Sequence, residues 1–214
     1  MRYQAIAWDI DGTLVDSEPL HHRALVAGSK ILGVDLSELP DQAFCGIHMK
    51  DVWALLRPRI PVDLDINHWL ATINRYYIDH RSELVPISGA IETVRALAQS
   101  GIRQVCVSNS ARAIVDANLD SLGILDCMAF SISLDDVTAG KPDPGPYLQA
   151  CRRLGIAPHA TVAIEDSITG VKSAREAGLF VIGYSAIGLP IDKANVLTDK
   201  LSDVCKVFGL SENV

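Results

Sequence analysis

No uninterrupted apolar run in this sequence approaches the ~20 residues that a bilayer-spanning helix requires. The N-terminus also lacks the basic-then-apolar layout of a signal peptide, because Asp9 and Asp11 interrupt it. A cytoplasmic protein without a membrane partner is therefore expected. Cysteine is sparse: Cys45, Cys106, Cys127, Cys151 and Cys205 are scattered, odd in number, and none stands in a Cys-x-x-Cys pair. That argues against a disulfide framework or a zinc ribbon and for reduced thiols packed as small apolar groups. Cations are in deficit, with 19 Lys and Arg against 26 Asp and Glu and a formal charge of −7. Nucleic acid is therefore a poor candidate for a binding partner. A phosphorylated small molecule is not excluded, since a local metal ion outweighs a diffuse negative field. Internal repeats and low-complexity segments are absent too.

What is present is a chain of 214 residues that is 49% hydrophobic. That is enough for one ordinary domain plus a substantial insertion. The most informative segment is Gln4 to Asp16, where a mostly apolar run meets Asp9 and Asp11 and is followed by Gly12-Thr13. The run reads as a strand covered on both faces. Strand alternation sends Asp9 and Asp11 to the same side. Two like charges that close raise each other's proton affinity unless a cation sits between them. The pair suggests a metal site or an acid/base couple. Gly12 permits a sharp turn at the strand's C-terminal end, where open α/β sheets bind ligands.

After Asp16 the pattern turns helical. Leu20, Ala24, Ala27 and Ile31 fall on one stripe with Gly33 as its stop, and Trp69, Ile73, Tyr76 and His80 repeat that spacing. Residues 17–84 therefore read as an all-helical unit without strands. From Val85 helices and short apolar strands alternate. Helices are expected around Ile91–Leu97, Val115–Leu122 and Tyr147–Leu154, and before Gly178. Strands are expected at Gln104–Val107, Ala129–Ser133, Thr161–Ile164 and Phe180–Tyr184. The predicted fold class is α/β: a doubly wound, Rossmann-like parallel sheet core (1–16 and 85–214) with an inserted all-helical cap domain (17–84). An insertion just after the first strand has the expected position of a lid.

Three further polar clusters end candidate strands or lie just past them: Ser108-Asn109, Lys141, and Glu165-Asp166. A parallel sheet brings them to the same edge as Asp9 and Asp11. Asp9, Asp166 and Glu165 are hard oxygen donors suited to Mg²⁺. Ser108 and Asn109 can donate to phosphate oxygens, and Lys141 offsets the carboxylates. One carboxylate can attack phosphorus while the other handles the proton.

The run Asp9-Ile10-Asp11-Gly12-Thr13-Leu14-Val15-Asp16-Ser17-Glu18 resembles the first motif of the haloacid dehalogenase superfamily. Ser108, Lys141 and Glu165-Asp166 fall where that family has its second, third and fourth motifs. The resemblance covers essentially the whole chain, including a helical cap. It is strongest to the branch containing β-phosphoglucomutase, phosphoglycolate phosphatase and small sugar-phosphate phosphatases.

The resemblance implies a Mg²⁺-dependent phosphatase, a phosphoric monoester hydrolase acting on a small phosphorylated metabolite, as monomer or homodimer. Asp9 would form an aspartyl-phosphate. Asp11 would protonate the leaving alcohol and later activate water. Mg²⁺ would be held by the Asp9 carboxylate, the Asp11 backbone carbonyl and Asp166, with Glu165 at or just behind the ion. Ser108 and Lys141 would grip the phosphoryl oxygens, next to Gly12 and Asn109. Glu18 and His21 fall where this branch has hinge and site-facing residues. Gly46 matches a cap loop that approaches substrate, and Lys50, Arg57, Arg59, Arg75 and Arg81 are candidate substrate contacts. The second aspartate disfavours dehalogenases and phosphonatases.

Two other readings remain. A β-phosphoglucomutase-type mutase is the alternative, but the mutase relatives have an arginine three residues beyond the cap glycine. Met49 stands there, with Lys50 next to it. A non-catalytic sensor on the same fold would be marked by loss of Asp9 or Asp11, and both are present. Bland readings also compete: Ser108-Asn109 and Asp166-Ser167 as helix caps, Lys141 as a solvated loop lysine, His21 as a surface residue, and Trp53 and Trp69 as helical core.

Overall fold

The structure is a computed structural model that describes residues 3–40, 43–44, 47, 49–188 and 191–210. In chain order it contains β1 (Ala5–Trp8), β2 (Val15–Asp16), α1 (Glu18–Ile31), α2 (Met49–Leu56), α3 (Ile66–Asp79) and β3 (Val85–Pro86). These are followed by α4 (Ala90–Gln99), β4 (Arg103–Val107), α5 (Arg112–Leu122), β5 (Phe130–Ile132), α6 (Gly145–Leu154), β6 (Thr161–Glu165), α7 (Ile168–Glu176), β7 (Phe180–Tyr184), β8 (Val196–Thr198) and α8 (Val204–Val207). The chain divides into two compact units, residues 1–16 with 85–214, and residues 17–84.

The first unit is built on a six-stranded sheet in the order β5-β4-β1-β6-β7-β8, every pair parallel. Leaving the small β2–β3 ribbon aside, the strand order is third-second-first-fourth-fifth-sixth along the chain. That is the doubly wound order, with its switch point between β1 and β6. The sheet is a Rossmann-like α/β core, as the alternation of elements predicted. Apolar continuity puts β1 and β6 at its centre: every residue of both strands is buried. Trp8 is fully buried, and its Nε1–H donates to Gln104 Oε1 at 2.9 Å. The paired indole and amide avoid the ~1–3 kcal/mol cost of an unsatisfied buried polar group.

Register sets the site. Trp8 pairs with Cys106 on one side and Ile164 on the other. The next residues, Asp9, Val107 and Glu165, therefore leave the sheet together. Among the cysteines, Cys106, Cys151 and Cys205 are buried free thiols and Cys127 is half-buried. Cys45 lies outside the described residues.

The strands β2, β3 and β8 and the short helix α8 of this unit were not expected. β8 is a three-residue edge strand whose Val196 and Leu197 are exposed, so no burial pattern announces it. β2 and β3 form a short antiparallel ribbon, Val15 opposite Pro86 and Asp16 opposite Val85, where the chain leaves and re-enters the sheet unit. Helix α4 is entered through Gly89, whose φ of 78° suits glycine.

The regular elements among the second unit's described residues are all helices. α1 buries Leu20, Ala24, Leu25, Gly28 and Ser29, and α3 buries Trp69, Ile73 and Tyr77. The expected stripes are corrected at their far ends. Ile31 is 69% exposed, and Tyr77 rather than Tyr76 is buried. The reason is close approach. A Cβ on Gly28 would lie 2.9 Å from Ile73 Cα, so the glycine, not the neighbouring Ala27, is the contact point. Trp69 Nε1–H donates to Ser29 Oγ at 2.9 Å across the same seam, making Trp69 core as anticipated. Asp65 caps α3 by accepting from the amides of Asn67 and His68. No described helix is long and apolar enough to cross a membrane.

Candidate active site

The loop after β1 is a tight hydrogen-bonded turn. Ile10 O accepts from the amides of Thr13, Leu14 and Val15, and Gly12 N–H donates to Val15 O at 2.9 Å. Gly12 has φ 77°, and a Cβ there would sit 2.1 Å from Asp166 Oδ2. Glycine is needed both for the turn and for the approach of that carboxylate.

Asp9, Glu165 and Asp166 offer carboxylate oxygens within 4.8 Å of one another. Lys141, only 4% exposed, reaches into them: its Nζ lies 2.8 Å from Asp9 Oδ1 and 2.6 Å from Glu165 Oε1. A solvated loop lysine is thereby excluded. Burial works against the Lys141 charge, but Asp9 and Glu165 outweigh it and hold the ammonium above its ordinary pKa. Burial, then the Asp9 charge, pushes the Glu165 carboxyl well above the usual carboxylate range. Burial, Asp9 and Glu165 raise Asp166 in the same way. One ammonium does not balance three crowded carboxylates, so the site calls for protons or a cation.

The donor set fits a hard divalent cation. All its side-chain donors are oxygens. Glu165 is fully buried, and its Oε2 has no hydrogen-bond partner among the described residues. That oxygen is held close against α7, since a Cβ on Gly170 would lie 1.7 Å from it. The other oxygen, Oε1, also accepts from the buried Tyr147 hydroxyl. Burial and the Glu165 charge raise the Tyr147 pKa, keeping that hydroxyl a donor. Ser167 caps α7 through Gly170 N–H at 3.0 Å, which leaves Asp166 to the acidic cluster.

Strand alternation does not carry Asp11 into this cluster. β1 ends at Trp8, and the turn through Ile10 and Gly12 redirects the next side chain. The Asp11 carboxylate instead accepts from Ser110 Oγ at 2.8 Å, Ser108 Oγ at 3.2 Å and Asn118 Nδ2 at 3.0 Å. Asn109 also differs from expectation. Its Oδ1 accepts Lys141 N–H at 2.8 Å and its Nδ2 donates to Lys141 O at 3.0 Å. The side chain thus braces the lysine loop. Neither Ser108 nor Asn109 caps α5, whose N-cap is Ala111.

The remaining candidates lie in the helical unit. Glu18 is exposed in the first turn of α1, and the His21 ring packs on Tyr77 with centroids 4.5 Å apart. Lys50 is exposed near the start of α2. Arg57 donates to the carbonyls of Ile60, Pro61 and Val62, so it closes its own loop. Arg75 pairs with Asp79, and Arg81 donates to Ile78 O. Gly46 lies outside the described residues.

Four residues of the sheet unit were not anticipated for the site: Ser110, Asn118, Tyr147 and Gly170. Asn118 carried a legible signal, a polar residue beside Leu119 on the core face of α5. Tyr147 and Gly170 carried none, because a tyrosine on an apolar face and a glycine in a helix have ordinary packing explanations.

A doubly wound sheet with clustered carboxylates and a buried ammonium at its switch point defines an α/β enzyme that works on a ligand at its strand ends. The family model described as haloacid dehalogenase-like hydrolase matches residues 3–178, and the chain belongs to that family. It is 27% identical over 205 residues to validoxylamine A 7′-phosphate phosphatase from Streptomyces hygroscopicus subsp. limoneus, covering 94% of this chain and 96% of that protein. It is 30% identical over 195 residues to a phosphoglycolate phosphatase from Nitrosospira multiformis, covering 85% and 83%. Among solved structures, CbbY from Rhodobacter sphaeroides in complex with phosphate is similar, with a TM-score of 0.83 at 25% identity over 94% of this chain and 96% of that one.

Proposed function

We propose that this chain is a Mg²⁺-dependent phosphatase that hydrolyses a small phosphorylated metabolite, of the sugar phosphate or phosphoglycolate type, through an aspartyl-phosphate on Asp9. The observation that carries the reading is the grouping of Asp9, Glu165 and Asp166 around Lys141, with Asp11 held apart by its own donors. Membership of a hydrolase family and relatives named as phosphatases support it.

In the first half-reaction an Asp9 carboxylate oxygen attacks phosphorus and the bond from phosphorus to the substrate oxygen breaks. Asp11 gives its proton to the departing alkoxide. In the second half-reaction Asp11 takes a proton from water as that water attacks phosphorus. The bond to Asp9 breaks, releasing inorganic phosphate and restoring the carboxylate. Lys141 fixes Asp9 and offsets negative charge at the phosphoryl oxygens, and the Ser108 hydroxyl turns from Asp11 to donate to one of them. Mg²⁺ would be held by Asp9, Asp166, the Asp11 backbone carbonyl and Glu165, and supplies charge neutralisation for the transferring group. The helical unit acts as the cap, with Lys50 a substrate contact.

The test is phosphate release from 2-phosphoglycolate, sorbitol 6-phosphate, glucose 6-phosphate, β-glucose 1-phosphate and p-nitrophenyl phosphate, with Mg²⁺ and with chelator. Metal-dependent release from one or more of them supports the reading. Conversion of β-glucose 1-phosphate to glucose 6-phosphate with little free phosphate makes the chain a mutase instead.

A further inference from the structure

We propose that Asn118 and Ser110 are positioning residues for Asp11: together they hold both oxygens of its carboxylate so that its proton meets the leaving alcohol. The inference rests on the acid/base reading of Asp11. Asn118 Nδ2 holds Oδ1 at 3.0 Å, and Ser110 Oγ holds Oδ2 at 2.8 Å. Ser108 Oγ approaches the same Oδ2 at 3.2 Å while accepting from Ser110 N–H at 2.9 Å. A carboxylate held at only one oxygen keeps rotational freedom; held at both, its plane and direction are set.

Asn118 is the unusual member. It is fully buried on α5 among Ile114, Val115, Leu119 and Leu122. An amide in such a place costs ~1–3 kcal/mol if unpaired. Its Nδ2 partner is a residue 107 positions away in the chain, at the turn following β1. A helix needing only packing there would be served by leucine. The asparagine gives Asp11 a fixed anchor in the core instead of in a mobile loop. General acid catalysis depends on such placement and is worth ~10²–10⁴ in rate.

The consequence separates positioning from mere structural support. An alkyl alcohol is a poor leaving group and needs the proton, whereas p-nitrophenolate leaves without it. The experiment compares kcat/KM for p-nitrophenyl phosphate with that for the fastest alkyl phosphate of the panel. Asn118→Leu, Ser110→Ala and Asp11→Asn are run beside wild type, with melting temperature as the folding check. Asn118→Leu is expected to lower the alkyl-to-aryl ratio about tenfold or more, and Ser110→Ala to lower it in the same direction by less. If Asn118→Leu does not fold, the half-buried Ser110→Ala decides alone. The inference is overturned if Asp11→Asn abolishes alkyl turnover while the other variants lower both substrates equally, or neither. Retained alkyl turnover in Asp11→Asn removes Asp11 as the acid, and the proposal goes with it.

Discussion

Asn109 holds Lys141 by both of its backbone polar groups, accepting from the amide at 2.8 Å and donating to the carbonyl at 3.0 Å. The contact joins the end of β4 to the loop before α6. The fit is close: a Cβ on Gly140 would lie 2.6 Å from Asn109 Oδ1. The lysine that grips Asp9 and Glu165 is therefore held through its backbone by Asn109.

Asn109→Ala removes two hydrogen bonds worth ~1 kcal/mol each. The fold has no other need of them, so the protein stays folded with a lower melting temperature. Displacing Lys141 by even a fraction of an ångström weakens its hold on Asp9. We expect kcat to fall by at least about tenfold, with a smaller change in KM. Steady-state kinetics on the best panel substrate checks this, and wild-type kcat would contradict it.

Gly170→Ala gives a prediction of opposite sign to the general rule. Replacing a helical glycine by alanine ordinarily stabilises by ~0.4–1 kcal/mol. Here the added Cβ would meet Glu165 Oε2 at 1.7 Å and Cδ at 2.1 Å. Lys141 and Tyr147 hold the other oxygen, so the carboxylate has no easy retreat. Destabilisation by ~1–3 kcal/mol is expected, as for other overpacked cores. Urea denaturation measures it, and a stabilised variant would contradict the geometry.

The metal-free protein should have a distinctive pH dependence. Burial and neighbouring charge raise the folded-state pKa values of Glu165 and Asp166. Raised carboxyls bind protons more tightly when folded than when unfolded. Their contribution is fully present below the unfolded carboxylate pKa of about 4 and is lost as pH rises through the folded values. With chelator, the melting temperature should therefore fall as pH rises above the ordinary carboxylate range, and fall less steeply in Glu165→Gln. Mg²⁺ binds the ionised carboxylates, so its stabilising effect should grow over the same interval. Equal slopes in wild type and Glu165→Gln would remove Glu165 from the account.

The core was legible because its signals are local and redundant. β1 is an unbroken apolar run, and the strand ends of β1 and β6 carry Asp9 and Glu165 in adjacent register. The helix expected over Val115–Leu122 is found as α5, and it ends at Gly123 with φ 62°. What failed were readings that extend a period past its element. Asp11 was placed by strand alternation although β1 ends at Trp8. Ile31 lies on the helical stripe of α1, but the α1–α3 seam runs through Gly28 and Ser29 and leaves it exposed. Asn109, Asn118 and Tyr147 act through partners distant in the chain, and one sequence does not print those pairings.

If Asp9 carries the phosphoryl group, rapid acid quenching should trap it there. Enzyme mixed with its best substrate and Mg²⁺ is quenched in acid within one turnover, and its peptides are weighed. One phosphoryl group is expected on the peptide containing Asp9, absent in Asp9→Asn, which should also release no phosphate. Phosphate release by Asp9→Asn at the wild-type rate, or a phosphoryl group on a different residue, would contradict that role for Asp9.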